Sequence, residues 1–402
     1  MTHIVVIGAG QAGASLVAKL RTLGFEGRIS LYGAEAAPPY QRPPLSKKYL
    51  LGEMEEARLY LRPEAWYADN GIELHTGSRV EAIAPAAKEI VVDGETIAYD
   101  MLALTTGSAP RHLPAALGGT LGNVFTVRDL SDADAMAPHF TKGKRVLIIG
   151  GGYIGLEAAA VAAKKGLEVT LVEMAPRILQ RVASPETSDF FRKLHGGHGV
   201  KILEGTGLER LTGSDVVTGA VLSDGTEMEI DFAIVGTGIL PVTGLAEEAG
   251  LEIENGIRTD AEGRTSDPFI WAAGDCASVP HGAGRLRLES VPNAIDMAEV
   301  VAENMLGAGK TYVPTPWFWS DQYDVKLQIT GLNTGYDKIV TRHGDKGAVS
   351  HWYYAGETLL AVDAMNDPRA YMVGKRLIDA GKSADADKVA DPATDLKTLM
   401  RG

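Results

Sequence analysis

The first of two glycine-rich loops in this sequence has a spacing that lets a backbone approach a phosphate. Gly8, Gly10 and Gly13 lie in the stretch IVVIGAGQAG and fit the pattern G-x-G-x-x-G. In this pattern the first glycine makes a tight turn, the second allows close approach to a pyrophosphate, and the third lets a helix pack against a strand. The N–H groups at the start of that helix then attract the phosphates. The loop therefore predicts a dinucleotide-binding site.

The second loop lies in KRVLIIGGGYIGLEAAAVAAKKGLEVTLVE, residues 144–173, and its glycines have the same spacing: Gly150, Gly152 and Gly155. Glu173 ends the stretch, where a carboxylate can accept hydrogen bonds from both ribose hydroxyls and repel a 2′-phosphate. We therefore expect NADH to be preferred over NADPH, with Arg177 and Arg181 offsetting part of that repulsion. Two loops imply two dinucleotides, which a flavoenzyme reduced by a nicotinamide needs and a single-cofactor dehydrogenase does not.

Each loop needs a strand before it and a helix after it, and the sequence supplies both. β-branched residues precede Gly8, and SLVAKLRTLG continues as a predicted helix that ends near Gly24, before the strand-like RISLYG. The order strand, loop, helix, strand recurs around the second loop. This order predicts an α/β protein with two Rossmann-like domains. Glu35, just beyond the second strand, is predicted to hold the adenosine ribose of the first dinucleotide.

Composition excludes several other classes of protein. The formal charge of −13 argues against a nucleic-acid partner. A single cysteine, Cys276, excludes an intramolecular disulfide and a thiolate-rich metal site, and we expect it to be a small buried residue. His195 and His198 in HGGHG lack nearby acidic ligands, so no metal site is predicted. The longest apolar run is interrupted by glycines and by Glu157, so no membrane span is expected, and without a visible export signal we predict a cytoplasmic protein.

A third signal connects the two loops. Residues 267–275, DPFIWAAGD, form an apolar strand that ends at Asp275, where a carboxylate can accept a hydrogen bond from a sugar-type hydroxyl. Together with TTGSAPR at 105–111 and VGTGILPVTGL at 235–245, these motifs resemble the two-dinucleotide-binding-domain flavoproteins over nearly the whole chain.

The resemblance implies a discontinuous FAD-binding domain at 1–110 and 232–312, with an NAD-binding domain at 111–231 inserted in it. The remainder, 313–402, contains strand-like pieces and a candidate helix, DPRAYMVGKRLIDAG, and is predicted to be a C-terminal α+β domain. Its polar tail, SADADKVADPATDL, is predicted to be loosely attached.

Within that family, four motifs are similar to the ferredoxin reductases that serve bacterial haem monooxygenases and ring-hydroxylating dioxygenases: PPYQRPPLSK at 38–47, GGGYIGLE, TVRDL at 126–130 and WFWSDQYD at 317–324. The resemblance implies that Lys47 pairs with Glu157 near the reactive edge of the flavin. It implies further cofactor contacts by residues spread along the chain: Arg42 at the flavin, Val80 and Arg128 on the FAD, Asp275 at the ribityl chain, Trp319 beside the isoalloxazine, the helix starting at Val291 aimed at the pyrimidine end of the ring, Glu289 bordering the nicotinamide pocket, and Ile154, Arg181 and Gly238 as further cofactor-binding positions.

These features predict an FAD-containing, NADH-dependent ferredoxin reductase that passes single electrons to a [2Fe-2S] ferredoxin and so, indirectly, to an oxygenase. The sequence leaves three alternatives open. One is a flavin-dependent NADH oxidase, and a second is a reductase of rubredoxin or of a small molecule. The third is a redox-sensing flavoprotein in which reduction changes the association state.

Overall fold

The computed structural model describes residues 1–401 and the side chains of residues 1–400. The chain folds into two compact units, each made of separated segments. The first unit comprises Met1–Gln41, Glu56–Ala109 and Ile239–Pro316, and the second comprises Arg42–Glu55, Pro110–Gly238 and the chain from Trp317 onward.

The helices and strands alternate along most of the chain. The α-helices are α1 Gln11–Thr22, α2 Glu64–Asp69, α3 Leu130–Met136, α4 Tyr153–Lys164, α5 Pro185–Gly197, α6 Gly244–Glu248, α7 Val291–Met305, α8 Pro368–Asp379 and α9 Ala386–Ala390. Short 3-10 turns lie at Pro43–Ser46, Glu56–Arg58, Ala115–Leu117, Ala137–His139, Asp345–Gly347 and Leu396–Arg401. The strands are β1 His3–Ile7, β2 Arg28–Tyr32, β3 Ile72–His75, β4 Val80–Ala84, β5 Glu89–Val92, β6 Glu95–Ala98, β7 Met101–Leu104, β8 Ser108–Pro110, β9 Val124–Phe125, β10 Arg145–Ile149, β11 Glu168–Glu173, β12 Lys201–Glu204, β13 Leu208–Gly213, β14 Val217–Leu222, β15 Glu227–Glu229, β16 Phe232–Val235, β17 Ile239–Pro241, β18 Ile257–Arg258, β19 Ile270–Ala272, β20 Ala277–His281, β21 Gly284–Leu286, β22 Trp317–Gln322, β23 Val325–Gly331, β24 Lys338–His343, β25 Val349–Ala355 and β26 Thr358–Met365.

The first unit is built on a parallel sheet with the strand order β19-β7-β1-β2-β3. Every residue of β1 is buried, as expected for a strand that is covered on both faces. Helices α1 and α7 pack side by side, and both contribute to the hydrophobic core of this unit. The carboxyl ends of β1 and β19 lead directly into the first glycine loop and the Asp275 turn.

The second unit contains a matching parallel sheet with the order β12-β11-β10-β16-β9. Strand β16 pairs with β10, so residues 232–235 belong to this second sheet, whereas the sequence analysis assigned them to the first domain. The segment Arg42–Glu55 also clusters with the second unit. The predicted domain boundaries as a set stay a prediction.

The same unit contains an antiparallel sheet with the order β22-β23-β26-β25-β24, covered by α8. The strands and the helix predicted from the C-terminal sequence are all present, beginning at Trp317. With the two parallel sheets, this arrangement confirms the predicted fold class of two Rossmann-like parts and an α+β C-terminal part.

The prediction of a loosely attached tail is wrong. The guanidinium group of Arg342 on β24 donates hydrogen bonds to four backbone carbonyls of the tail: those of Val389, Asp391, Pro392 and Thr394, at 2.6–3.1 Å. Val389 and the following Leu396 and Leu399 are buried in the core of the C-terminal sheet. The polar composition of the tail concealed this attachment because the acceptors are backbone atoms, which composition does not reveal.

Candidate functional site

The first glycine loop has the geometry of a phosphate cradle. The backbone at Gly8 has φ +113°, and a side chain there would approach the carbonyl oxygen of Thr105 to 2.2 Å, so only glycine fits. A Cβ at Gly13 would lie 2.1 Å from the carbonyl oxygen of Gly8, which explains the close packing of α1 on the loop. At Gly10, by contrast, the space is open, and this residue begins α1 without a side-chain cap. Open space beside an uncapped helix N-terminus fits a bound pyrophosphate.

Glu35 and Val80, two further predicted FAD contacts, also lie in the first unit. Glu35 follows β2 and is half-buried, and its carboxylate accepts a hydrogen bond from the hydroxyl of Tyr40. Val80 begins β4 and is buried. Their contacts with a dinucleotide stay predictions.

One arginine, Arg287, joins Asp275 to Glu289, two residues before α7 begins at Val291. The Asp275 carboxylate accepts a hydrogen bond of 2.8 Å from the hydroxyl of Ser108. Arg287 donates to the backbone carbonyl of Asp275 at 3.2 Å and forms an ion pair of 2.7 Å with Glu289. Val291 is the first residue of α7, so the positive end of that helix lies immediately after Glu289.

The second glycine loop repeats the geometry of the first. Gly150 has φ +109°, and a Cβ there would lie 2.4 Å from the carbonyl oxygen of Gly236. A Cβ at Gly155 would lie 2.1 Å from the Gly150 carbonyl oxygen. Gly152 again faces open space and begins α4 without a side-chain cap. The second loop therefore also fits a dinucleotide pyrophosphate.

The predicted ribose-binding carboxylate of Glu173 is held in place by backbone amides. Its two oxygens accept hydrogen bonds from the N–H groups of Gly151 and Ala175, at 2.7 and 2.8 Å. One carboxylate oxygen therefore lies directly against the glycine loop. Because each oxygen of an ionised carboxylate has two lone pairs, both can accept further bonds from ribose hydroxyls.

Ile154, Arg181 and Gly238 are also in the second unit. Ile154 lies in the first turn of α4 and is 43% exposed. A Cβ at Gly238 would lie 3.5 Å from a guanidinium nitrogen of Arg181, so these two residues are neighbours. Their contacts with a nicotinamide cofactor stay predictions.

Lys47 and Glu157 form a largely buried ion pair. The Lys47 ammonium nitrogen lies 2.9 Å from Glu157 Oε1, and their side chains are 16% and 2% exposed. Lys47 follows the 3-10 turn Pro43–Ser46, whose prolines limit the freedom of the backbone before it. Glu157 projects from α4 among alanines, so without a cation its carboxylate would be buried among apolar side chains. The role of the pair toward a flavin stays a prediction.

Two serines complete the environment of Glu157, and the sequence analysis missed both. Ser46 donates to Glu157 Oε2 and Ser320 donates to Oε1, each at 2.7 Å. Ser46 directly precedes Lys47, so the sequence did carry a local signal for it. Ser320 comes from β22 of the C-terminal sheet, more than 160 positions away, and no local pattern indicates this contact.

Arg42, Arg128 and Trp319 also lie in the second unit. Arg42 donates to the backbone carbonyl of Arg128 at 2.9 Å. Trp319 lies on β22, with its ring centroid 5.7 Å from that of Trp317. The structure thus joins the proline turn to the TVRDL segment, while the roles of these residues toward FAD stay predictions.

The described residues contain one buried cysteine and no cluster of potential metal ligands. Cys276 is buried, and burial raises the pKa of its thiol. Within residues 1–401, no three His, Cys, Asp or Glu side chains are grouped to hold a metal ion. In the same part of the chain, no helix has both the length and the apolar character needed to cross a bilayer.

Comparisons with known proteins cover the whole architecture. Residues 2–298 match the family Pyridine nucleotide-disulphide oxidoreductase, and residues 317–400 match Reductase C-terminal. The chain is 41% identical to the 5,5'-dehydrodivanillate O-demethylase ferredoxin reductase subunit of Sphingobium sp., over 98% of this chain and 97% of that protein. It is 39% identical to putidaredoxin reductase of Pseudomonas putida, over 99% of this chain and 96% of that protein. The crystal structure of the covalent putidaredoxin reductase–putidaredoxin complex matches with a TM-score of 0.96 at 38% identity, over 100% of this chain and 98% of that one.

These matches confirm the resemblance inferred from the motifs and the assignment as an oxidoreductase that uses FAD and NAD(P)H. The name of the family refers to disulphide chemistry, which a chain with one cysteine cannot carry out within itself. The family assignment rests on full-length identity near 40%. It agrees with the two glycine loops and with the buried lysine–glutamate pair. The chain belongs to the pyridine nucleotide-disulphide oxidoreductase family, among its putidaredoxin reductase-like ferredoxin reductases.

Proposed function

We propose that this protein transfers electrons from NADH, through a non-covalently bound FAD, to a [2Fe-2S] ferredoxin that supplies an oxygenase. The observation that carries the proposal is the pair of glycine loops, because Gly10 and Gly152 both face open space at an uncapped helix N-terminus. The relatives support the partner, since one is the ferredoxin reductase subunit of an O-demethylase and another is a putidaredoxin reductase. A cytoplasmic location is part of the proposal, because metabolism supplies NADH in that compartment.

The residues of each unit have distinct proposed tasks. In the first unit, the Gly8–Gly13 loop holds the FAD pyrophosphate, Glu35 its ribose and Asp275 its ribityl chain. When bound, FAD accepts a hydride from NADH and releases electrons one at a time. The N-terminus of α7 places positive potential after Glu289, which favours negative charge on a ligand there.

In the second unit, the loop from Gly150 to Gly155 holds the NADH pyrophosphate, and Glu173 accepts hydrogen bonds from the ribose. The Glu173 carboxylate disfavours a 2′-phosphate, which is why NADH is the proposed donor. Lys47 supplies a fixed positive charge that favours a reduced, anionic flavin, while Glu157 keeps that lysine from being a costly unpaired charge.

A protein thiol takes no part in the proposed route. Cys276 is the one cysteine of the chain, and it is buried in the turn after β19, directly after Asp275. A thiol relay requires a second thiol and access to its partner. Electrons therefore pass directly from the flavin to the external carrier.

The test is a reconstitution with purified components. We expect a yellow protein with one FAD per chain that reduces at least one member of a panel of bacterial [2Fe-2S] ferredoxins, measured from the loss of ferredoxin absorbance with NADH. Cys276→Ser should leave this rate nearly unchanged. Reduction of every ferredoxin no faster than oxygen would instead identify an NADH oxidase, and loss of activity in Cys276→Ser would contradict the direct route.

A further inference from the structure

A line of hydrogen bonds runs from the Glu157 carboxylate through the C-terminal sheet to α5. Ser320 Oγ lies 2.7 Å from Glu157 Oε1, and Gln322 Nε2 lies 3.1 Å from Ser320 Oγ. The other end of the same amide, Gln322 Oε1, lies 2.7 Å from His195 Nε2. The hydroxyl of Tyr323 then lies 3.2 Å from His195 Nδ1. We call these four side chains, Ser320, Gln322, His195 and Tyr323, the Glu157 chain.

The ionised carboxylate fixes the direction of every bond in the Glu157 chain. A carboxylate only accepts hydrogen bonds, so Ser320 must donate its single proton to Glu157. Ser320 must then accept from the Gln322 amide, which orients the amide oxygen toward His195. His195 must donate from Nε2, and its Nδ1 must therefore accept from the hydroxyl of Tyr323. All four donors point toward Glu157, and bonds aligned in this way polarise one another.

The Glu157 chain is shielded from water over most of its length. Ser320, Gln322 and His195 are fully buried. Burial lowers the pKa of His195 to about 4, so its ring is neutral at neutral pH and has one donor and one acceptor nitrogen. Burial raises the pKa of Tyr323, which keeps its hydroxyl protonated and able to donate.

Tyr323 adopts an uncommon backbone conformation at the outer end of the chain. It lies in the turn between β22 and β23 with φ +57°, a conformation that is rare for a bulky residue. Its ring stacks on His198 at 3.7 Å between centroids. An aromatic residue in this conformation costs about 1 kcal/mol or more, so the surrounding contacts must hold it there. The hydroxyl that begins the donor series is thus held at the His195 ring.

We propose that Gln322 and His195 are positioning residues that act on the Lys47–Glu157 pair through Ser320. Glu157 Oε1 accepts from both Lys47 and Ser320, so the orientation of the Ser320 proton determines how the carboxylate meets the ammonium group. The Gln322 amide donates to Ser320 Oγ and is itself held by His195, so these two buried side chains keep the serine hydroxyl in the position from which it donates to Glu157. This gives a task to the HGGHG segment and to the glutamine of WFWSDQ, to which the sequence analysis assigned none.

The inference rests on the proposed function only for the effect of the Lys47–Glu157 pair on the flavin. The direction of the bonds is a property of the protein and can be observed without turnover. In protein labelled with ¹⁵N-histidine, long-range ¹H–¹⁵N spectra at pH 7 should show His195 with its proton on Nε2. The His195→Gln variant assigns the signal. A proton on Nδ1, or a doubly protonated ring, overturns the proposal whether or not the enzyme reduces a ferredoxin.

The kinetic test uses the rate at which NADH reduces the bound flavin, measured by stopped-flow absorbance. Gln322→Met and Ser320→Ala should each slow this rate by about two- to tenfold, the effect of losing one hydrogen bond of about 0.5–1.5 kcal/mol. The KM for NADH should stay within about twofold, since neither residue contacts the cofactor in the proposed arrangement. The double variant should be no slower than the slower single variant, because either change interrupts the same chain. Rates that multiply in the double variant overturn the proposal.

Two further variants separate positioning from simple loss of packing. His195→Gln keeps a donor for Gln322 and should retain most of the flavin-reduction rate, whereas His195→Leu removes the donor and should slow that rate by about two- to tenfold, as the loss of one hydrogen bond does. The matched control is His351→Leu, which removes another buried histidine of the same unit, one that binds Thr187 and lies outside the Glu157 chain. It should lower the melting temperature without slowing flavin reduction. Equal slowing by His351→Leu and His195→Leu refutes the proposal.

Discussion

The Lys47–Glu157 pair should respond asymmetrically to removal of either charge. Lys47→Met leaves the Glu157 carboxylate, which is 2% exposed, without a cation. Breaking a buried ion pair in this way costs about 3–5 kcal/mol. The two serine hydroxyls that donate to Glu157 remain, so we expect a loss of unfolding free energy at the lower end, about 3 kcal/mol.

Glu157→Gln should cost less. The lysine side chain left behind is 16% exposed, so its ammonium group can turn toward water, and the new amide oxygen can still accept a hydrogen bond from it. We expect a loss of about 1 kcal/mol. The double variant Lys47→Met/Glu157→Gln should be less destabilised than the sum of the two single variants, because it contains no unpaired charge.

The assay is thermal unfolding followed by far-UV circular dichroism in the presence of excess FAD. For a unit of this size, each 1 kcal/mol corresponds to about 2–4 °C, so Lys47→Met should melt about 6–12 °C lower and Glu157→Gln about 2–4 °C lower. The matched surface control is Lys375→Met, whose i,i+4 pair with Asp379 is on the exposed side of α8. It should shift the melting temperature by less than about 2 °C. If Lys47→Met is no more destabilising than Glu157→Gln, the buried-carboxylate reasoning is refuted.

Three further predictions concern acid stability, the tail and the nicotinamide. Burial lowers the pKa of His195 to about 4. The neutral ring therefore contributes fully to the free energy of unfolding above about pH 6.5, and this contribution is lost as the pH falls toward 4. This contribution amounts to about 3 kcal/mol, and His195→Gln should flatten the fall in melting temperature between those pH values. Arg342→Lys cannot reach all four tail carbonyls and should increase hydrogen–deuterium exchange of residues 386–399 by at least about tenfold, whereas unchanged exchange would show that the apolar tail residues suffice. Glu173→Ala should lower the ratio of kcat/KM for NADH over NADPH by about tenfold, and an unchanged ratio would exclude Glu173 from ribose recognition.

The parts of the site that could be predicted from the sequence are those that depend on local geometry. Gly8 and Gly150 have positive φ, and Gly10 and Gly152 face open space. The spacing of the glycines within each loop is therefore enough to predict the geometry of the loop. The pairing of Lys47 with Glu157 depends on how distant segments pack, and it was inferred from family resemblance rather than from spacing.

The Glu157 chain shows why the remainder was not predictable. Ser320 and Gln322 lie two positions apart on β22, so their side chains are on the same face of that strand. The alternation of side chains along a strand does not show which helix packs against that face. His195 was considered only as a metal ligand, and it serves instead as a neutral hydrogen-bonding group between an amide and a phenol. In the sequence, a buried hydrogen-bonding histidine cannot be told from a metal-binding histidine, because only its partners differ and these are distant along the chain.

The Arg342 clamp has a consequence for which changes the tail can accept. Arg342 contacts backbone carbonyls, and every amino acid supplies a carbonyl in the same place. Substitutions at Asp391, Pro392 and Thr394 therefore leave the carbonyl acceptors in place. One inserted or deleted residue, by contrast, displaces these carbonyls and leaves a buried guanidinium group without hydrogen-bond acceptors. The contacts of Arg342 therefore depend on the number of residues in the segment and not on their side chains. We expect related proteins to vary in sequence here while keeping the number of residues constant.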